Sequence, residues 1–474
     1  MRTLCLTGLS LLFFSTLISQ KKVADVVSKL DEKSETYNAI AHEIWNLAEM
    51  GYQEEKSSAL LQKTLSDAGF KIEKGVAGIP TAFIAEYGTG SPVIAIMGEY
   101  DALPGLSQEA VAEKKSAGKA AGHACGHHLF GTASTAAAIA VKGWMTANGT
   151  RGTIRFYGTP AEEGGGAKVY MSREGLFDDV DVALHWHPGA QNAASAAAAL
   201  SNISAKFRFY GISAHAAGAP EQGRSSLDGI EAMNAMVNLM REHIPQEARI
   251  HYVITDGGKA PNVVPDFAEV YYYARHNRRD VVKGIFDRIV KTAEGAALGT
   301  GTTMDYEIVN GVHELLPNLT LQKLVHTNLT KIGGIEYTPE EKVFADKIAL
   351  SLGQDSANLE MAKNVQPFKE EARAYGSTDV GDVSFVVPTV GFGTATWVPG
   401  TPAHSWQAVA AGGTSIGKKG MMVAAKTLTL TAIELYENKE LVAKAKTEFL
   451  ERRGADFEYI PLLGDRAPAL DYRN

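Results

Sequence analysis

The stretch Ile203-Ser204-Ala205-Lys206-Phe207-Arg208-Phe209-Tyr210 decides how this chain is organised. Apolar and polar side chains alternate along it, the period of a strand with one face in a core and the other toward water. The sequence beyond it continues the pattern. Ser226–His243 carries apolar residues at helical spacing, Ile250–Thr255 and Ala268–Arg275 are strand-like again, and Asp280–Ala297 is a second amphipathic helix. Strand–helix–strand–strand–helix is the split pattern of a small α+β sandwich. A ferredoxin-like domain is therefore expected over residues 200–312.

On either side the pattern changes. Residues 24–70 place Ile40, Ile44, Leu47, Leu60, Leu61 and Leu65 at helical spacing. Short apolar runs bounded by Gly and Pro follow. Thr81–Tyr87, Pro92–Met97, Thr153–Tyr157 and Val180–His185 read as buried strands, with an Ala-rich helix from Leu129 to Ala147 among them. Helices resume near residue 313, followed by a strand at Thr389–Phe392 and a long helix at Lys418–Asn438. Strands alternating with helices predict an α/β domain, a mixed sheet flanked by helices. That domain would comprise residues 21–199 and 313–474, with 200–312 inserted into it. The tail, residues 451–474, is expected on the surface.

The bulk properties exclude some functions. With 46 basic and 54 acidic side chains the net charge is -8, and no basic run suggests a nucleic-acid partner. Arg2 precedes an apolar run from Leu4 to Ile18, closed by Ser19-Gln20. Such a run of about 15 residues reads as a secretory signal peptide over residues 1–20. It is too short for a membrane span of about 20 residues. An exported protein with no stable membrane span is the expectation. Removing the signal removes Cys5 and leaves Cys125 alone, so no intrachain disulfide can form. Metal ligation would explain a lone thiol in an exported chain, because a bound thiolate is protected.

Five motifs carry candidate chemistry. Gly98-Glu99-Tyr100-Asp101 follows a predicted strand, where α/β sheets bind ligands. His123-Ala124-Cys125-Gly126-His127-His128 holds four nitrogen or sulfur donors in six residues, in a chain with 13 histidines. Gly126 permits a tight turn between Cys125 and His127. Thiolate and imidazole suit zinc, while imidazole and carboxylate also admit manganese. Glu162-Glu163 follows another strand, with one carboxylate available to ligate and the other to act as a base. In Leu184-His185-Trp186-His187-Pro188, either His185 or His187 could bind metal and the other support it. His404 stands in the loop Gly400-Thr401-Pro402-Ala403-His404. The inserted segment adds His215 among small residues, Asn262 between prolines, and Arg275, a natural partner for a substrate carboxylate.

Together these motifs resemble the dinuclear metal-dependent aminoacylase and carboxypeptidase family of amidohydrolases, over about residues 35–440. Within it the chain looks most like the aminobenzoyl-glutamate-utilising branch, on Glu99–Gln108, Gly122–Thr132, Pro261–Arg275 and Glu370–Gln407. The resemblance implies two divalent metal ions per subunit, zinc or manganese. Cys125 would bridge them, with His127, Glu163, His404 and one of His187 or His185 as further ligands. Glu162 would be the general base, and Asp101 would orient a metal ligand. The inserted domain would serve as dimerisation domain and lid. His215 would reach a partner subunit's site and stabilise the oxyanion, while Asn262 and Arg275 would hold the substrate's carboxylate. The implied reaction is hydrolysis of an N-acyl or aminobenzoyl conjugate to release a glutamate-like amino acid. A dipeptidase or general N-acyl amino acid amidohydrolase is the alternative, and a non-catalytic metal or peptide binder a remote one. The subunit would pair with a second copy or with a related A-type subunit. Relatives that act on indole conjugates have Asp where His128 stands, a departure that favours the aminobenzoyl branch.

Overall fold

The computed structural model describes residues 24–373 and 376–473. The expected export signal, residues 1–20, lies outside them, as do Ala374 and Tyr375. The larger sheet takes strands β1 (Lys71–Lys74), β2 (Phe83–Thr89), β3 (Val93–Gly98), β4 (Gly152–Gly158) and β5 (Val182–Leu184). The smaller takes β6 (Ser201–Tyr210), β7 (Arg249–Asp256), β8 (Phe267–His276) and β9 (Thr303–Val312). A last strand, β10 (Thr389–Val390), returns to the larger sheet, whose spatial order is β1-β2-β4-β3-β5-β10. β2 runs antiparallel to β1 and β4, while β4, β3, β5 and β10 are parallel to one another. The sheet is mixed and helix-flanked, as its sequence pattern predicts.

β3 shows why the sheet sits where it does. All six of its residues are buried. Ile94 and Ile96 pack into one cluster with Phe130 and Ala137 of helix α1 (His127–Asn148). Val93, Ala95 and Met97 pack into another with Val169, Tyr170 and Phe177. Alternate residues feed opposite faces, so an unbroken apolar run is what a doubly covered strand needs. Each fully buried aliphatic side chain contributes about 1.5–3 kcal/mol. The alanines of α1 let it lie close against the sheet.

The smaller sheet is antiparallel throughout, in the order β7-β8-β6-β9. Helices α2 (Ser226–Met240) and α3 (Arg279–Thr300) cover one face, where Phe207 and Phe209 meet Ile230, Met233 and Ile289. This is the ferredoxin-like arrangement. Its fourth strand, β9, is absent from the sequence reading. Thr303–Val312 is half-exposed at the sheet edge, so it lacks the alternation that marks β6 and β8.

The tail lies on the surface, as expected, with Leu463 its one buried residue among those described, and it is anchored there by specific contacts. Tyr459 O–H donates to Asp382 at 2.8 Å, and the Ile460 carbonyl is 3.0 Å from His313 Nε2. A few aromatic and leucine side chains within a polar, Pro-containing segment suffice to anchor it. Burial pushes Asp382 up to about 7, against the hydrogen bonds from Tyr459 and the His313 N–H. This folded value lies above the unfolded value of about 3.9. The stability it contributes is therefore full below about pH 4 and lost as pH rises through about 7. Thermal unfolding from about pH 5 to about pH 9 should show a smaller loss of Tm in Asp382→Asn than in the wild type. Parallel curves for the two proteins would refute the assignment.

Candidate metal centre and active site

The candidate residues converge because they stand at the C-terminal ends of parallel strands, where an α/β sheet opens to ligands. Glu99 and Asp101 follow β3, Glu162 and Glu163 follow β4, and His187 follows β5. Cys125 and His127 stand at the start of α1. Gly126 between them has φ 79°, and a Cβ there would come within 2.6 Å of Pro188. Only glycine fits that turn without a shift. The loop bearing His404 is tied to the same segment by a bond from its N–H to the Ala124 carbonyl (3.1 Å).

Three groups of donors lie close enough to share a cation. Cys125, His127 and His187 form one, Cys125, Glu163 and His404 the second, and Glu99, His127 and Glu162 the third. Cys125 belongs to the first two, the position a bridging ligand occupies. His187 Nε2 is 3.4 Å from Cys125 Sγ, while its Nδ1 is 2.7 Å from the Pro188 carbonyl. An Nδ1–H bond to that carbonyl leaves Nε2 with a free lone pair, the usual support for a ligating imidazole. His127 is set the same way, its Nδ1 being 2.7 Å from Asp101. Asp101 also accepts the Glu163 N–H at 2.9 Å, so one carboxylate positions two elements of the site.

The orphaned atoms test whether a metal fits. His127 Nε2 and Glu99 Oε2 are buried and 3.1 Å apart, yet they make no hydrogen bond. A buried imidazole nitrogen left without a hydrogen bond beside a carboxylate and within reach of Cys125 and His187 suits a cation. Glu163 Oε1 is buried and faces His404 Nε2 at 3.0 Å. The electrostatics agree. Burial alone would lower the His127 pKa, but Asp101, Cys125 and Glu99 more than reverse this and push it well up. Burial, with Glu163 adding to it, raises Cys125. Burial, then Glu99 and Glu163, raises Glu162 well above the carboxylate range. The centre is thus short of positive charge. Its sulfur, nitrogen and oxygen donors accommodate two divalent ions, zinc or manganese.

The remaining sequence candidates separate. His185 is in none of the three groups. Its ring packs against Gly391, and burial, then Lys168, lowers it to about 3. β5 ends at Leu184, and this break lets His185 and His187 diverge where a continuous strand would align them. His123 and His128 serve the backbone, lying 3.0 Å from the Ile44 carbonyl and 3.1 Å from the Gly412 carbonyl. Arg275 lines the same cleft of about 1190 Å³ as Cys125, Glu162 and Glu163. His215 and Asn262 are exposed and do not line it. They sit together on the inserted domain, joined through the Ala216 N–H to the Asn262 carbonyl (3.0 Å).

Sequence reasoning missed a buried ion network beneath the site. Lys168 Nζ lies 2.7 Å from both Glu99 and Asp379, and all three are buried. Burial would lower Lys168, but Asp379, Glu99 and Glu162 more than offset it, so the ammonium stays charged. A lysine in a short helix gives no sign of this partnership, which joins three distant segments.

Comparison with known proteins fits this geometry. Residues 198–300 match the peptidase dimerisation domain. Over 446 residues the chain is 42% identical to the B-type subunit of p-aminobenzoyl-glutamate hydrolase from Escherichia coli (strain K12), covering 88% of this chain and 93% of that protein. It is 29% identical to the Xaa-Arg dipeptidase of Mus musculus, over 89% of this chain and 90% of that one. A dinuclear metal-binding peptidase of the M20 family from Bacillus subtilis shares the fold, at TM-score 0.58 and 17% identity, over 86% of this chain and 99% of that one. At 42% identity over most of both chains, this protein belongs to the family of the B-type p-aminobenzoyl-glutamate hydrolase subunits, among the metal-dependent amidohydrolases that carry the peptidase dimerisation domain.

Proposed function

We propose that this protein hydrolyses the amide bond of an aminobenzoyl or related N-acyl amino acid and releases a glutamate-like amino acid. One observation carries the reading. Glu162, beside the donor cluster, shares a cleft with Arg275, whose guanidinium has no acidic partner among the described residues. Cys125, His127, Glu163, His187 and His404 would hold two divalent ions. When bound, such ions supply the charge that acidifies water and polarises a carbonyl. Glu162 accepts a proton as the water oxygen bonds to the amide carbon, and returns it to nitrogen as the C–N bond breaks. Arg275 orients the substrate through its carboxylate. Asp101 keeps the His127 ring in register.

The exposed His215 and Asn262, on the part of the chain that matches a dimerisation domain, support a paired subunit as the working form. Each would complete its partner's site, with His215 donating to the oxyanion. The partner would be a second copy or a related A-type chain. The apolar run Leu4 to Ile18 supports export, and no described helix is long and apolar enough to cross a membrane.

A substrate panel on metal-reconstituted protein tests the reading. The kcat/KM for aminobenzoyl-glutamate should exceed that for dipeptides and N-acetyl amino acids. The resemblance to a dipeptidase favours the second reading, and a preference for dipeptides would establish it instead. Metal binding without turnover of any amide would leave only a binding role.

A further inference from the structure

The anchored tail delivers one more cation to the cleft. Arg173 donates to the Arg466 carbonyl at 2.8 Å. Arg466 in turn bonds the Ile308 and Val309 carbonyls and pairs with Glu307 at 2.9 Å. The Tyr472 ring meets Tyr52 edge-on at 5.5 Å, and its O–H donates to the Glu163 carbonyl at 3.2 Å. These contacts carry the chain from the edge strand β9 to the catalytic loop, where Arg473 lines the cleft together with Arg275.

Arg473 is only partly satisfied there. One Nη donates to the Glu163 carbonyl, and the guanidinium lies over the Tyr472 ring at 4.7 Å. Its Nε is buried with no hydrogen-bond partner. The nearby Glu163 carboxylate is engaged by His404 instead. Among the described residues no carboxylate pairs with Arg473 or with Arg275. Two guanidinium groups in one cavity, neither paired with a carboxylate among the described residues, are matched by a ligand with two carboxylates. A guanidinium presents five donors in a planar fork, so a bond to the Glu163 carbonyl leaves others free.

We propose that Arg473 recognises the side-chain carboxylate of the amino-acid half of the substrate, while Arg275 takes the α-carboxylate. The cleft is then selective for conjugates of acidic amino acids. This rests on the amide-hydrolase reading above. A site built to bond a charged group rejects an analogue lacking it, because its buried donors are left unmatched.

The test compares kcat/KM for aminobenzoyl-glutamate and its glutamine counterpart, which has the same shape without the charge. The wild-type enzyme should prefer the glutamate conjugate by at least about 100-fold. Arg473→Ala should reduce that ratio at least about ten-fold, and Arg473→Lys, which keeps the charge and loses the fork, should fall between. If Arg473 only holds Glu163 in place, both substrates fall together and the ratio stays put, which would overturn the proposal. A wild-type enzyme without preference would overturn it too. A wild-type enzyme inactive on both conjugates would sink the hydrolase reading itself. Thermal unfolding of each variant separates loss of fold from loss of recognition.

Discussion

Glu162→Gln is expected to lower kcat by about 10²–10⁴-fold while the protein keeps its metal ions. The substitution preserves shape and removes the group that accepts and returns the proton. Two arrangements of the centre are distinguished by this variant. In one, Cys125, Glu163 and His404 would hold one ion and Cys125, His127 and His187 the other, with Glu162 left free as base. In the other, Glu162 joins Glu99 and His127 as a ligand. Metal analysis decides between them. Retained metal with lost turnover supports the base, whereas metal loss in step with activity makes Glu162 a ligand. Full activity would remove it from the mechanism. Burial and the charges of Glu99 and Glu163 raise Glu162 well above the usual carboxylate range, which helps it hold a proton once taken. The positive charge of bound ions would offset this and leave it free to accept one from water.

Cys125→Ala should do the most to empty the centre, because Cys125 is the one residue common to the two groups that contain His187 and His404. Losing a supporting residue around a metal costs about 10–100-fold in affinity. Losing a ligand shared by two ions should cost more than about 100-fold for each. Equilibrium dialysis with zinc and manganese would show both ions weakened. If only one is weakened, Cys125 does not bridge. Cys125→Asp offers a second reading of the same position. A carboxylate can still bridge, but it is harder than a thiolate, so affinity should return with the preference moved from zinc toward manganese. An unchanged preference would mean that other donors set the choice of metal.

Much of this protein was legible in one dimension. Strong periodicity marked β6, β8 and the flanking helices, because strands and helices with one buried face must repeat their apolar residues. The donor-rich motifs Cys125–His128, Glu162-Glu163 and Leu184–Pro188 showed the nature of the site, since metal and acid–base chemistry admit few residue types. β9 escaped because an edge strand is half wet and loses its alternation. The tail's surface position was legible, but its anchoring contacts were not, because the side chains that make them are sparse.

What the sequence by itself determined is the layered α/β domain with its inserted sandwich, and the pool of side chains from which the donors come: these follow from local period and from the chemistry of single side chains. Only the tertiary structure brought His187 to Cys125 and turned His185 and His128 away. It alone buried Lys168 between Glu99 and Asp379, and carried Arg473 from the end of the chain to the cleft. Each of these depends on where a side chain points once distant segments meet. That direction is set by packing and burial across the fold, which no local pattern records.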